Sequence, residues 1–157
     1  MNKSTLILGI GNILMGDEGV GVHIAKMLES VNLPDHVNVL DGGTGGFHLL
    51  EYFDLHDHII MIDATLDGLP PGNVRQIKPR FALDFPPAMS THDIGLKDLV
   101  SALQLLGRMP EIDLFVVSIK SIQQQGIILT EAVQNASAAV IEKIKEMVEN
   151  EKVDTTH

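Results

Sequence analysis

The order of apolar segments constrains the fold of this chain most strongly, because runs of strand length alternate with helical patterns from end to end. Residues 5–10 form a continuous apolar run, which is typical of a strand covered on both faces. From Asp17 onward the apolar period changes to that of a helix, which we expect to end near Asn32 and Pro34. The apolar positions of this helix that share one face are Val20, Ile24, Met27, Leu28 and Val31.

The same alternation continues to the end of the chain. Further strands are predicted at residues 36–40, 59–62, 73–78 (an edge strand) and 113–119. Helices are predicted at residues 47–53, at 96–106 and after Thr130, which can cap the last helix. This order predicts a three-layer α/β/α sandwich with a mostly parallel sheet. The length of 157 residues predicts a single domain, residues 1–150, followed by a polar tail at 151–157.

Composition excludes several classes of function. Eleven basic and 21 acidic residues give a net charge of −10, which argues against binding to nucleic acid or to an anionic membrane surface. The chain has no cysteine, and therefore no disulfide, thiol nucleophile or thiolate metal site. The apolar stretch 6–15 is broken by glycines and followed by Asp17 and Glu18, so it is neither a membrane span nor a signal sequence. We therefore expect a cytoplasmic protein.

Several acidic residues follow predicted strands. Asp41 and Asp63 each end a strand, and Asp17 and Glu18 come after the loop of the first strand. In a parallel sheet such residues meet at the crevice beyond the carboxyl ends of the strands. His92 lies in an irregular loop where neither strand nor helix packing accounts for it. Two carboxylates and an imidazole suit a divalent first-row metal and leave positions open for substrate, which makes Glu18, Asp63 and His92 the candidate ligands.

The glycine-rich loop at residues 9–21 leaves two other interpretations open. A dinucleotide fingerprint would need a third glycine or alanine where Leu14 stands, although Asp41 lies where a ribose-binding acid belongs. A phosphate loop would need lysine in place of Asp17. Acidic residues in the first turn of a helix are also stabilised by its dipole, by about 0.3–1 kcal/mol, which alone could explain Asp17 and Glu18.

Taken in order, four segments resemble the nickel–iron hydrogenase maturation endopeptidases. They are residues 9–14 with Asp17-Glu18-Gly19, residues 40–44, residues 62–64, and His92. The resemblance implies a five-stranded mixed sheet with one antiparallel strand. It also implies an activity, the removal of a C-terminal extension from a hydrogenase large-subunit precursor after nickel insertion. The metal-contacting residues of the family match Glu18, Asp63 and His92, and Asp41 matches a further acid of the family.

The chemistry expected from this resemblance uses water as nucleophile, because the chain has no cysteine and no recognisable serine triad. The nickel would be carried by the precursor, with other divalent metals substituting in vitro, and would polarise the scissile carbonyl. Asp41 or Asp17 is the nearest candidate base. Activity should fall below about pH 6.5, where His92 would be protonated.

We expect a monomer. A non-catalytic nickel-binding assembly factor is the main alternative function, ahead of a nucleotide-binding Rossmann-like domain.

Overall fold

The computed structural model describes residues 4–43, 49–86, 89, 96–120 and 128–151. In this part of the chain the strands are β1 (Thr5–Ile10), β2 (Val37–Gly43), β3 (His58–Thr65), β4 (Val74–Ile77) and β5 (Glu111–Ser118). The α-helices are α1 (Val20–Glu29), α2 (Leu49–Leu55), α3 (Leu96–Leu105) and α4 (Glu131–Asn150). Short 3-10 turns occur at Gly16–Gly19 and Ala82–Asp84.

The strands form one mixed sheet in the order β2-β1-β3-β5-β4. Strands β2, β1, β3 and β5 run parallel to one another, and β4 pairs antiparallel to β5 at one edge. The predicted sandwich, its mixed sheet and its edge strand at 73–78 are therefore confirmed. Every residue of β1 and β3 is buried, as expected for central strands covered on both faces.

Two hydrophobic cores lie on opposite faces of the sheet. On one face, Leu6, Leu8, Ile59 and Met61 pack with Phe53 of α2 and with Val100 and Leu103 of α3. On the other, Ile7, Ile60 and Ile62 pack with Val20 and Ile24 of α1 and with Val133 and Val140 of α4. None of the helices in the described ranges has the length and apolarity that crossing a bilayer requires.

Several element boundaries differ from the prediction. β2 continues through Asp41 to Gly43 because it pairs with β1, and β3 continues through Asp63 to Thr65 because it pairs with β5 as far as Ser118. Such backbone pairing requires no apolar side chain. The placement of Met27 on the buried face was wrong, since its side chain is 59% exposed. Gly21 and Ala25 are the α1 residues that lie against Gly9 of β1. Residues 47 and 48 of the predicted second helix, and 152–157 of the tail, lie outside the described part.

Candidate functional site

The carboxyl edge of the sheet is assembled by glycines that allow α1 to touch the strands. A Cβ added at Gly9 would lie 2.1 Å from the carbonyl oxygen of Gly21. A Cβ added at Gly21 would lie 2.2 Å from the carbonyl oxygen of Ile62 and 2.5 Å from that of Ile10. Backbone therefore packs directly on backbone at the end of β1 and at Ile62 of β3. This contact presses the Gly16–Gly19 turn, which immediately precedes α1, against β3.

The loop between β1 and α1 is folded tightly on itself. Gly11 has φ +136°, and a Cβ there would lie 2.3 Å from the carbonyl oxygen of Glu18. A Cβ at Gly19 would lie 2.6 Å from the Cα of Ile13. These glycines are therefore explained by close backbone contacts within the loop itself, without a bound ligand. A phosphate at the start of α1 would also face Asp17 and Glu18, which weakens the nucleotide-binding alternative.

Asp63 lies inside β3 and is fully buried. Its Oδ1 accepts a hydrogen bond from the backbone N–H of Ala64 at 2.8 Å. Its predecessor Ile62 pairs with Gly9 of β1, so Asp63 stands at the level where β1 ends. Side chains alternate along a strand, and Asp63 therefore belongs to the face on which Met61 packs with α2 and α3.

The structure brings the elements that carry Glu18 and Asp63 together. Glu18 is half-buried in the Gly16–Gly19 turn, which contacts β3. His92 lies outside the described residues. Of its neighbours, Met89 forms an antiparallel bridge with Thr65 of β3, and α3 begins at Leu96. Both ends of the segment that includes His92 thus belong to the face of Asp63. The assignment of the three residues as metal ligands remains a prediction.

Asp41 stands at the same edge on the outer strand β2. It is exposed and pairs with Gly9, which also pairs with Ile62 on the other side. Two strand spacings separate the backbones of Asp41 and Ile62 by about 10 Å. The Oδ1 atom of Asp41 accepts the N–H of Gly43 at 2.9 Å at the end of β2, where Gly43 has φ +51°. Asp41 therefore lies at the same edge as Asp63, with the end of β1 between their two strands.

Asp17, the other candidate base, has a structural role. Its side chain is 1% exposed, and its two carboxylate oxygens accept hydrogen bonds from the N–H of Thr130 at 2.7 Å and from its hydroxyl at 2.8 Å. Thr130 is the N-cap of α4, as predicted, but its hydroxyl is donated to Asp17 and makes no capping bond to the helix. Asp17 thus attaches the first loop to the start of α4, 113 residues away.

This contact makes Asp17 important for stability. We expect Asp17→Ala to lower the free energy of unfolding by about 1–3 kcal/mol, because it leaves a part-buried N–H and hydroxyl without their acceptor. Urea denaturation measures the loss. The matched variant Glu18→Ala removes the adjacent, half-buried acid and should change the unfolding free energy by less than about 0.5 kcal/mol. Equal losses in the two variants would contradict the role assigned to Asp17.

Comparison with known proteins identifies the family. The HycI family model, described as hydrogenase maturation protease, matches residues 22–147. The chain belongs to the hydrogenase maturation protease family. Among curated members, hydrogenase expression/formation protein HupD of Bradyrhizobium diazoefficiens is 41% identical over 111 residues, which cover 68% of this chain and 57% of HupD. Hydrogenase 2 maturation protease of Escherichia coli is 40% identical over 109 residues, covering 68% of this chain and 66% of that protein.

Solved structures of the family share the fold over almost the whole chain. The hydrogenase maturating endopeptidase HybD from E. coli superposes with a TM-score of 0.85 at 34% identity, covering 96% of this chain and 94% of HybD. The [NiFe] hydrogenase maturation protease HybD from Thermococcus kodakarensis superposes with a TM-score of 0.75 at 26% identity, covering 92% of this chain and 99% of that one. In the sequence matches, by contrast, the chain spans little more than half the length of the HupD relatives.

A second polar cluster lies at the opposite, amino edge of the sheet, and sequence analysis missed it. In the described part of the chain, His58, Glu111 and Asp113 are the group whose potential metal-ligand atoms all lie within 4.8 Å of one another. The ammonium of Lys78 lies 2.8 Å from Oδ1 of Asp113, and Nε2 of His58 lies 2.7 Å from Oδ2. These cations already neutralise the carboxylate, so the arrangement is an ion-pair cluster. Its sequence signal is a polar residue near the start of each of two buried strands.

Proposed function

We propose that this chain is a processing endopeptidase that removes the C-terminal extension of a nickel-loaded hydrogenase large-subunit precursor. Its membership of the maturation protease family supports this function. So does the name of the E. coli relative that superposes best among those described, a hydrogenase maturating endopeptidase. The main structural support is the contact of the Gly16–Gly19 turn with β3. This contact brings the turn that carries Glu18 next to the strand that carries buried Asp63.

The donor set fits nickel carried by the precursor. Two carboxylates and one imidazole are ligands that nickel accepts, and three protein ligands leave positions for those of the precursor. Glu18 would approach from the turn before α1, and Asp63 from β3. His92 would complete the set from the segment that leads into α3. When bound, nickel would increase the electrophilicity of a nearby peptide carbonyl.

Peptide hydrolysis also needs a group that takes a proton from water. Asp41 is better suited to this role than Asp17, because the Asp41 side chain is exposed at the carboxyl edge of the sheet. Both carboxylate oxygens of Asp17 already accept hydrogen bonds from Thr130. Strand β1 lies between β2 and β3 and ends at Ile10, so Asp41 and Asp63 flank the point at which β1 ends. We propose that the scissile segment lies across this edge, with Asp41 on one side and Asp63 on the other.

The decisive experiment mixes the purified chain with nickel-loaded and with nickel-free precursor and weighs the products by mass spectrometry. We expect the loaded precursor to lose its C-terminal extension and the nickel-free precursor to remain intact. Cleavage of both at equal rates would retain the peptidase and overturn recognition of nickel. Binding of the loaded precursor without any change in its mass would instead favour a non-catalytic assembly factor.

A further inference from the structure

His58 occupies an unusual position at the amino edge of the sheet, between two buried carboxylates. Its side chain is 4% exposed. The Nε2 atom lies 2.7 Å from Oδ2 of Asp113, and the Nδ1 atom lies 2.7 Å from Oε2 of Glu151. A carboxylate can only accept a hydrogen bond, so each ring nitrogen must carry a proton to make both contacts. The geometry therefore requires the imidazolium form of His58.

Glu151 connects this histidine to the end of α4. It is the first residue after the helix, which ends at Asn150, and the sequence assigns it to the polar tail. The hydroxyl of Thr5 on β1 lies 2.8 and 2.9 Å from the two carboxylate oxygens of Glu151. Nε2 of His36, in the turn before β2, lies 2.9 Å from Oε1. One side chain thus joins the last turn of α4 to three segments at the edge of the sheet.

In the described part of the chain, charged side chains of several elements surround His58. Asp113 and Glu111 lie on β5, and Lys78, just beyond β4, lies 2.8 Å from Asp113 and 3.8 Å from Glu111. Lys78 neutralises the side of Asp113 that faces away from His58. Among the described groups, both His58 and His36 lie within hydrogen-bond distance of the Glu151 carboxylate. The imidazolium of His58 supplies positive charge to that carboxylate at 2.7 Å.

The pKa values agree with this arrangement. Burial lowers the pKa of His58, but the hydrogen bonds to Asp113 and Glu151 outweigh it and raise the pKa above the ordinary 6.5. Burial raises the pKa of Glu151, but the hydrogen bonds from His58, Thr5 and His36 outweigh it and lower the pKa below 4.5. The stabilisation from His58 is therefore complete below pH 6.5 and is lost as the pH rises through its folded value.

We propose that His58 is a proton-operated latch: as imidazolium it holds the C-terminal end of α4 against the amino edge of the sheet, and on losing its proton it releases that end. In the neutral ring, one nitrogen presents a lone pair to a carboxylate. The attraction between the imidazolium and that carboxylate is then replaced by repulsion between the nitrogen lone pair and the carboxylate oxygen. Little water is present to screen this repulsion. The segment freed is the last turn of α4, because Glu151 is its attachment.

Hydrogen exchange of the intact chain tests the latch without reference to its enzymatic activity. Protection factors, which are corrected for the intrinsic effect of pH, are measured for the amides of residues 144–151 from about pH 6 to about pH 9. We expect them to fall by about tenfold or more in the wild-type chain, while the amides of β1 and β3 keep theirs. The His58→Gln variant should show the low protection at every pH. The matched control His56→Gln alters a half-buried histidine outside this cluster, which contacts Asn38 and Tyr52, and should behave as wild type.

A second measurement keeps the proposal testable if His58→Gln does not fold. The nitrogen chemical shifts of the His58 ring in the wild-type chain should show both nitrogens protonated at neutral pH and a titration above 6.5. In Glu151→Gln, which removes one of the two negative charges, the titration should move to lower pH. A neutral His58 ring at pH 7, or protection of residues 144–151 that does not change with pH in the wild type, would overturn the latch.

Discussion

Replacing Asp63 with asparagine should leave a nickel-loaded large-subunit precursor almost uncut, with a loss in cleavage rate of about 100-fold or more. Asparagine has the shape of aspartate but lacks its charge, and the charge is what a metal ligand at this position would supply. The Oδ1 atom of an asparagine can still accept the N–H of Ala64, so the fold should persist. The measurement is the rate at which the shortened large subunit appears by mass spectrometry, at matched enzyme concentration.

Asp35→Asn provides the matched control. Asp35 is an exposed residue in the turn before β2, at the opposite edge of the sheet, so the same chemical change there should leave the cleavage rate unaltered. Circular dichroism of both variants confirms that they are folded. Glu18→Gln should share the defect of Asp63→Asn. Cleavage at the wild-type rate by either of these two variants would remove that residue from the proposed nickel contacts.

The layers of the fold could be predicted because buried parallel strands have a simple signature. A run such as residues 5–10 has no polar face, and the helical patterns between such runs require crossovers on both faces of a sheet. The ends of strands have no comparable signature. β3 continues through Asp63 because its backbone pairs with β5, and such pairing is indifferent to side-chain polarity.

The sequence was enough to select candidate residues by their type and their position after a strand. It was not enough to predict most of the contacts that these residues make. Asp41 and Asp63 could be placed at one edge because each comes at the end of a predicted strand. The role of Asp17 could not be inferred, since an acid before a helix is explained well enough by the dipole of that helix. Its partner, Thr130, lies 113 residues later in the chain. The contact of His58 with Glu151 spans 93 residues, and nothing local to either residue indicates it.

The glycine at position 21 gives the sharpest contrast between local and tertiary expectations. Gly21 lies within α1, where helix propensity alone predicts that Gly21→Ala stabilises the chain by up to about 1 kcal/mol. The structure predicts the opposite, because the added Cβ would lie 2.2 Å from the carbonyl oxygen of Ile62. We expect a net loss of about 3 kcal/mol in the free energy of unfolding, or roughly 6–12 °C in Tm. Thermal and urea denaturation measure it.

The control variant Gly107→Ala distinguishes the effect of steric overlap, expected in Gly21→Ala, from the effect of backbone strain. Gly107 has φ +67° and no atom within 4 Å of its added Cβ, so this substitution should cost only the left-handed penalty of about 1–2 kcal/mol. If α1 moves outward to relieve the overlap in Gly21→Ala, the Gly16–Gly19 turn moves with it and separates Glu18 from β3. Cleavage by Gly21→Ala should therefore be slow even at temperatures where the variant is folded, whereas Gly107→Ala should cleave normally. A Gly21→Ala chain with a raised Tm and normal cleavage would show that the edge does not depend on this close backbone contact.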